Sequence, residues 1–170
     1  LTIQDVEKDI WNNLAKKLDN PFYEWEWLLN LETSKSVSQK TGWQPLYFLL
    51  YLDKELHGIA PLFLKNHSYG EFIFDQSFAR LAQDLNLSYY PKLIGMSPYS
   101  PIEGYQFIYK ENSNKQEITE MLLNYIEVFA TKNNILSCNF LYIDKEWEKL
   151  LNKHNYHKWI NIRSQWESIG

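Results

Sequence analysis

The sequence predicts one domain of the α/β (α+β) class, with a mixed sheet flanked by helices. Three observations predict it. The chain opens with helical periodicity, Val6, Ile10, Leu14 and Leu18 recurring every four residues. The period then changes in two apolar runs of strand length, residues 43–52 and 56–64, separated by a short polar break. Near the C-terminus, helix-like and strand-like segments alternate, as β-α-β units do.

Each element has its own local reason. In the first helix Trp11 adjoins the apolar stripe, Asp5 is a plausible N-cap, and Asn20-Pro21 ends it. A second helix is expected at about residues 23–31, with Trp27, Leu28 and Leu31 on one face. The runs Trp43 to Leu52 and Leu56 to Leu64, broken by Asp53-Lys54-Glu55, read as a hairpin. Being apolar on both faces, it is a central strand pair covered on both sides. Residues 69–74 read as a third strand, and 77–85 as a short helix with Phe78, Leu81, Ala82 and Leu85 at helical spacing. Residues 92–96 and 105–109 read as short strands around the Pro-rich turn 97–104. The clearest helix spans 115–132, with Ile118, Met121, Leu122, Tyr125 and Phe129 on one face. Asn114 and Glu117 there form a capping box. A strand at 137–143, a helix from 144 to about 153 and a strand at 156–162 complete the reading.

Composition excludes several function classes. A chain of 170 residues with seven Trp, twelve Tyr and nine Phe is no disordered segment. No run approaches the ~18 apolar residues of a membrane span. The net charge is −4 and no basic stripe exists, so the electrostatic footprint of a DNA or RNA binder is missing. The single Cys138, with no leader-like stretch, leads to the expectation of a cytoplasmic protein. Because Cys138 lies in an apolar strand, it reads as inert core. No G-x-S-x-G, Walker A or G-x-G-x-x-G is present. His154 and His157 stand three apart without a third ligand, so no metal site is expected.

The periodic core does not account for residues 65–75, where Lys65, His67, Ser68, Glu71 and Asp75 crowd a turn between apolar strands. If 69–74 is a strand, Glu71 shares a face with Ile73, and Phe72 with Phe74. A carboxylate so flanked is a candidate base of raised pKa or a substrate hydrogen-bond acceptor. The competing reading is a solvated loop with Glu71 on its exposed face. A second cluster is Tyr89-Tyr90-Pro91-Lys92. Its two phenols would wall a sugar or peptide site, or supply a phenolic acid; ordinary amphipathic packing is the alternative.

These segments also carry a resemblance. Asn20-Pro21-Phe22, Thr41-Gly42-Trp43-Gln44-Pro45, Ala60-Pro61-Leu62, Lys65-x-His67-Ser68-x-Gly70-Glu71-Phe72-x-Phe74-Asp75, Tyr89-Tyr90-Pro91-Lys92-Leu93, Pro101 and Gly104 follow in one order. Together they resemble the FemAB-like peptidoglycan biosynthesis/recognition family, within the GNAT (acyl-CoA N-acyltransferase) superfamily. The resemblance is strongest over residues 41–104. It implies a GNAT-like, twisted, mixed and mostly antiparallel sheet flanked by helices. It also implies that residues 1–170 form the N-terminal one of two tandem repeats, cut near Gly170, with a C-terminal GNAT-like repeat as partner.

The function implied is that of an N-acyltransferase or aminoacyltransferase-like domain acting on or recognising a peptidoglycan-type amine, such as a muropeptide. Acyl-CoA or aminoacyl-tRNA would be the donor. In that role Glu71 and His67 would be catalytic, while Lys65, Ser68, Asp75, Tyr89, Tyr90 and Lys92 would bind substrate. The alternative is a substrate-recognition or structural half without an acyl-CoA site. Two positions depart from the family pattern: Gln106 stands where an Arg is usual, and Glu167 where a His is. A CoA pyrophosphate also calls for a glycine-bearing loop at a helix N-terminus. Residues 105–117 hold no glycine, and their helix start is capped by Asn114 with Glu117 in the first turn.

Overall fold

The computed structural model describes residues 2–160. In chain order come α1 (Lys8–Ala15), α2 (Trp25–Thr33), β1 (Trp43–Leu52), β2 (Glu55–Lys65), α3 (Gln76–Asp84), β3 (Lys92–Gly95), β4 (Ile108–Tyr109), α4 (Lys115–Lys132), β5 (Cys138–Phe140) and α5 (Lys145–Asn152). The sheet runs β1-β2-β3-β5, with β4 also on β2. All pairings are antiparallel except β3 with β5. This is the mixed α/β architecture that the sequence predicts.

The β1–β2 hairpin organises the rest. Asp53 and Lys54 both take left-handed backbone (φ 48° and 69°), as a two-residue turn matched to strand twist requires. The sheet is covered on both faces. Tyr47 meets Trp11 of α1 edge-on at 5.4 Å, and its neighbour Phe48 meets Phe129 of α4 at 5.4 Å. A ring cluster of Tyr105, Phe107, Phe140 and Trp147 seats α5. Asp144 caps that helix, accepting from the Trp147 N–H at 2.7 Å.

Several sequence expectations are corrected. Residues 69–74 form no strand, because Gly70 (φ 81°) and Phe72 (φ 58°) break the extended backbone. Residues 156–160 are not strand either, and 161–162, Glu167 and Gly170 lie outside the described residues. Asp5 does not cap α1. It closes a preceding 3₁₀ turn (Ile3–Asp5), its carboxylate accepting from Thr2 N–H at 2.7 Å. Two apolar stripes depart from expectation at one position each: on α1 Ile10 is exposed while Trp11 and Ala15 are buried, and on α4 Tyr125 is exposed while Ile118 and Leu122 are buried as expected, joined by Leu123 and Ile126. At the start of α4 half of the capping box forms. Asn114 accepts from Glu117 N–H at 3.4 Å, without the reciprocal bond. On α3 only Ala82 is buried; Leu81 and Leu85 face solvent, and Phe78, partly exposed, meets Trp159 edge-on at 5.0 Å.

Among the described residues no helix is long and apolar enough to cross a membrane.

Candidate functional site

Pairing register builds the site. Trp43 on β1 faces Lys65 on β2, and Lys65 faces Lys92 on β3. Residues directly opposite on antiparallel strands share a face, so two ammonium groups stand side by side. Alone they would repel. The 66–75 loop folds over them and brings Glu71 and Asp75 down between. Lys65 and Glu71 are 0% exposed, Lys92 1% and Asp75 7%.

Lys92 is the hub of this cluster. Its Nζ donates to Glu71 Oε2 at 2.7 Å, to Ser68 Oγ at 2.8 Å and to Asp75 Oδ2. Tyr89 OH donates to the same Asp75 oxygen at 2.7 Å, and Tyr90 OH shares a 2.7 Å bond with Ser68 Oγ. Lys65 lies 3.6 Å over the Trp43 ring and donates to the Tyr69 carbonyl at 2.9 Å. Its distance to Glu71 Oε1 is 4.0 Å. That oxygen and Asp75 Oδ1 are buried without a hydrogen-bond partner among the described residues.

The pKa directions follow from this arrangement. Burial pushes Glu71 up, and the Lys92 bond only partly offsets it. Burial also raises Asp75, but bonds from Lys92, Ser68 and Tyr89 outweigh it and the net shift is downward. For Lys65, burial lowers the ammonium to about 8, with Glu71 opposing and Lys92 reinforcing the shift. Tyr89 is raised by burial and by its bond to Asp75.

His67 is fully engaged. Its Nε2 lies 3.0 Å from the Thr41 carbonyl, and its Nδ1 accepts from Tyr69 N–H at 3.2 Å. Those partners assign the Nε2–H tautomer. The ring packs against Gly42, where a Cβ would stand 2.3 Å from Nε2. Gly70 is likewise hemmed in, by Tyr99 at 2.9 Å and Trp43 at 3.2 Å.

The eight residues singled out from the sequence therefore lie together. The 65–75 segment and the Tyr89-Tyr90-Pro91-Lys92 segment, 14 or more residues apart, meet in one network. The competing reading, with Glu71 on the exposed face of a solvated loop, is overturned: Lys92 draws the carboxylate inward. What faces outward is aromatic, with Tyr69 79%, Phe72 52% and Phe74 80% exposed. Sequence reasoning passed over these rings as surface roles, although turn residues beside an aromatic run were visible. It also missed Trp43 as the floor beneath Lys65, since only register reveals that contact.

Beside the network runs a shallow groove of about 620 Å³ between α3 and residues 86–90, with Tyr89 and Tyr90 in its lining. Cys138 takes no part: burial pushes its thiol up to about 12, an unreactive state. Among the described residues no group of three His, Cys, Asp or Glu side chains converges for a metal ion.

Compared with known proteins, the chain matches the FemAB-like family, described as peptidoglycan biosynthesis/recognition, over residues 2–170. No curated protein matches it.

Proposed function

The chain belongs to the FemAB-like family of peptidoglycan biosynthesis/recognition proteins, and on that premise we propose that this domain recognises a peptidoglycan-type, amine-bearing acceptor. The observation that carries the reading is the orientation of the 65–75 segment. Its carboxylates point inward onto lysines, and its rings point outward.

A general base must come within about 2.6–3.2 Å of the proton it takes. Glu71 is buried, with one oxygen bonded to Lys92 and the other beside Lys65. Both nitrogens of His67 are committed to backbone groups. This arrangement favours a role for Lys65, His67, Ser68, Glu71, Asp75 and Lys92 in holding the loop, over a role in proton transfer. The loop then serves as a rigid mount for Tyr69, Phe72 and Phe74. Their faces suit the C–H faces of a sugar, and their quadrupoles attract the ammonium of an amine acceptor. Tyr89 and Tyr90 extend the aromatic surface toward the groove.

A CoA pyrophosphate does not fit the start of α4. The Glu117 N–H is taken by Asn114, and the Glu117 carboxylate would repel the anion. We therefore assign the donor, acyl-CoA or aminoacyl-tRNA, to another part of the full-length protein, for which the resemblance implies a second repeat. Transferase activity on this reading belongs to that whole protein.

The test is calorimetric titration of the chain with a muramyl pentapeptide. Tyr69→Ala and Phe74→Ala should weaken binding several-fold while leaving the stability of the chain within about 0.5 kcal/mol, since both rings stand about four-fifths in solvent. Unchanged affinity in both ring variants refutes the reading. Loss of acyl transfer in the full-length protein on Glu71→Gln, at unchanged affinity, would restore that carboxylate as the base.

A further inference from the structure

We infer that the groove between α3 and residues 86–90 holds a carboxylate of a short peptide, with Arg80 as its bidentate partner. The inference rests on the recognition reading for its ligand class and adds the group by which that ligand is anchored.

The lining carries the argument. Gln76, Arg80 and Gln83 stand at i, i+4 and i+7 of α3 and so present one face to the groove. Asn86 faces them from the loop, with Tyr89 and Tyr90 at one end. Arg80 is the only arginine among the described residues, and no carboxylate pairs with it there. No acidic side chain lines the groove. A planar guanidinium with a fixed fork of donors matches a carboxylate through two parallel bonds. One cation without a lysine beside it suits a single negative charge better than a diphosphate.

The neighbouring groups match the rest of such a ligand. Carboxamides of Gln76, Gln83 and Asn86 each donate and accept, as peptide groups require. The two tyrosines are already fixed. Tyr89 OH is bonded to Asp75 and Tyr90 OH to Ser68, and their rings meet edge-on at 4.9 Å. A wall locked before binding loses little side-chain freedom on complex formation. The volume, about 620 Å³, lies within the range of small-ligand sites.

The experiment is an amide-resolved NMR titration of the chain with a muramyl tetrapeptide, in its free-acid form and with every carboxyl amidated. The free acid should shift resonances of residues 76–90. Amidation and Arg80→Gln should each weaken binding by about 10-fold or more, the worth of one charge-assisted contact. Arg80→Lys should recover only part, because lysine offers a point charge and no fork. Arg80 sits on an exposed helix face, so both variants keep the spectrum of the folded chain. Binding that survives amidation and Arg80→Gln, or shifts confined to residues 69–74, overturns the carboxylate subsite while the recognition reading stands. No shift anywhere at millimolar probe overturns both.

Discussion

Replacing Lys92 by Met should be the most damaging single change in the 65–92 network. Methionine keeps most of the volume but removes the ammonium that Glu71, Asp75 and Ser68 all contact. In the native cluster two lysines face two carboxylates, all at most 7% exposed. In the variant a single ammonium, Lys65, remains for two buried acids, and it stands 4.0 Å from the nearer one. Leaving a buried charge without its partner costs about 3–5 kcal/mol. For a domain of this size that is a fall in Tm of about 6–20 °C.

The loss should also depend on pH, in a defined direction. In the native protein Asp75 is depressed, so its stabilisation is present above its ordinary value and is lost as pH falls through the folded one. In the variant the uncompensated carboxylate has a folded pKa raised above its unfolded value. Its penalty is complete at neutral pH and shrinks as pH falls, because the folded state then binds the extra proton more tightly. The gap between native and variant in urea melts should therefore be widest at pH 7 and narrower at pH 5. Adding Asp75→Asn to Lys92→Met should recover part of the loss at pH 7, since one acid then faces one lysine. A Lys92→Met loss below about 1 kcal/mol, or a gap that is flat with pH, would refute the claim that the cluster is ionised and load-sharing; the ~1 kcal/mol bound is what an exposed pair contributes.

Three further outcomes follow from other elements. Asn114→Ala removes the side-chain cap of α4 and should cost about 1 kcal/mol, measurable as a Tm fall of about 2–4 °C. Gly42→Ala places a Cβ 2.3 Å from His67 Nε2 at a left-handed backbone position (φ 71°). It should cost about 1–3 kcal/mol in urea melts, with part regained when His67→Ala is added. Leu81→Lys, at a position 55% exposed on α3, should change stability by no more than about 0.5 kcal/mol. A larger loss would mean that the apolar stripe of α3 is covered after all.

Much of the fold was legible because it is written in local patterns. The hairpin is read from its two apolar runs, and Lys115–Lys132 was bounded correctly by its cap and period. What failed was long-range or dihedral. The stretch at 69–74 has the alternation of a strand, but its left-handed residues, one of them Phe72, cannot be seen in side-chain pattern. Ile10 and Tyr125 fall outside the buried faces of α1 and α4 because a spacing of three to four residues does not say which of two neighbouring columns meets the sheet. For the site, residue identities were legible, since Lys65, Glu71, Asp75 and Lys92 are out of place among apolar neighbours. Their inward orientation was not, because it depends on Lys65 and Lys92 being cross-strand partners. Register of that kind is a property of the assembled sheet.

The division of labour within residues 65–75 separates two kinds of evolutionary freedom. Anchoring falls to Lys65, His67, Ser68, Glu71 and Asp75, each held by a named partner. Tyr69 and Phe74 stand four-fifths in solvent, and of the two only Tyr69 touches the anchoring set through its side chain, its ring tilted against His67 at 5.1 Å. Substitutions at those two tips can therefore be sampled without eroding the scaffold, in the way variable tips are exchanged on a fixed framework. The same loop is thus a natural graft point: a library randomised at 69 and 74 over an unaltered charged base would diversify what the surface binds while leaving the fold beneath it intact.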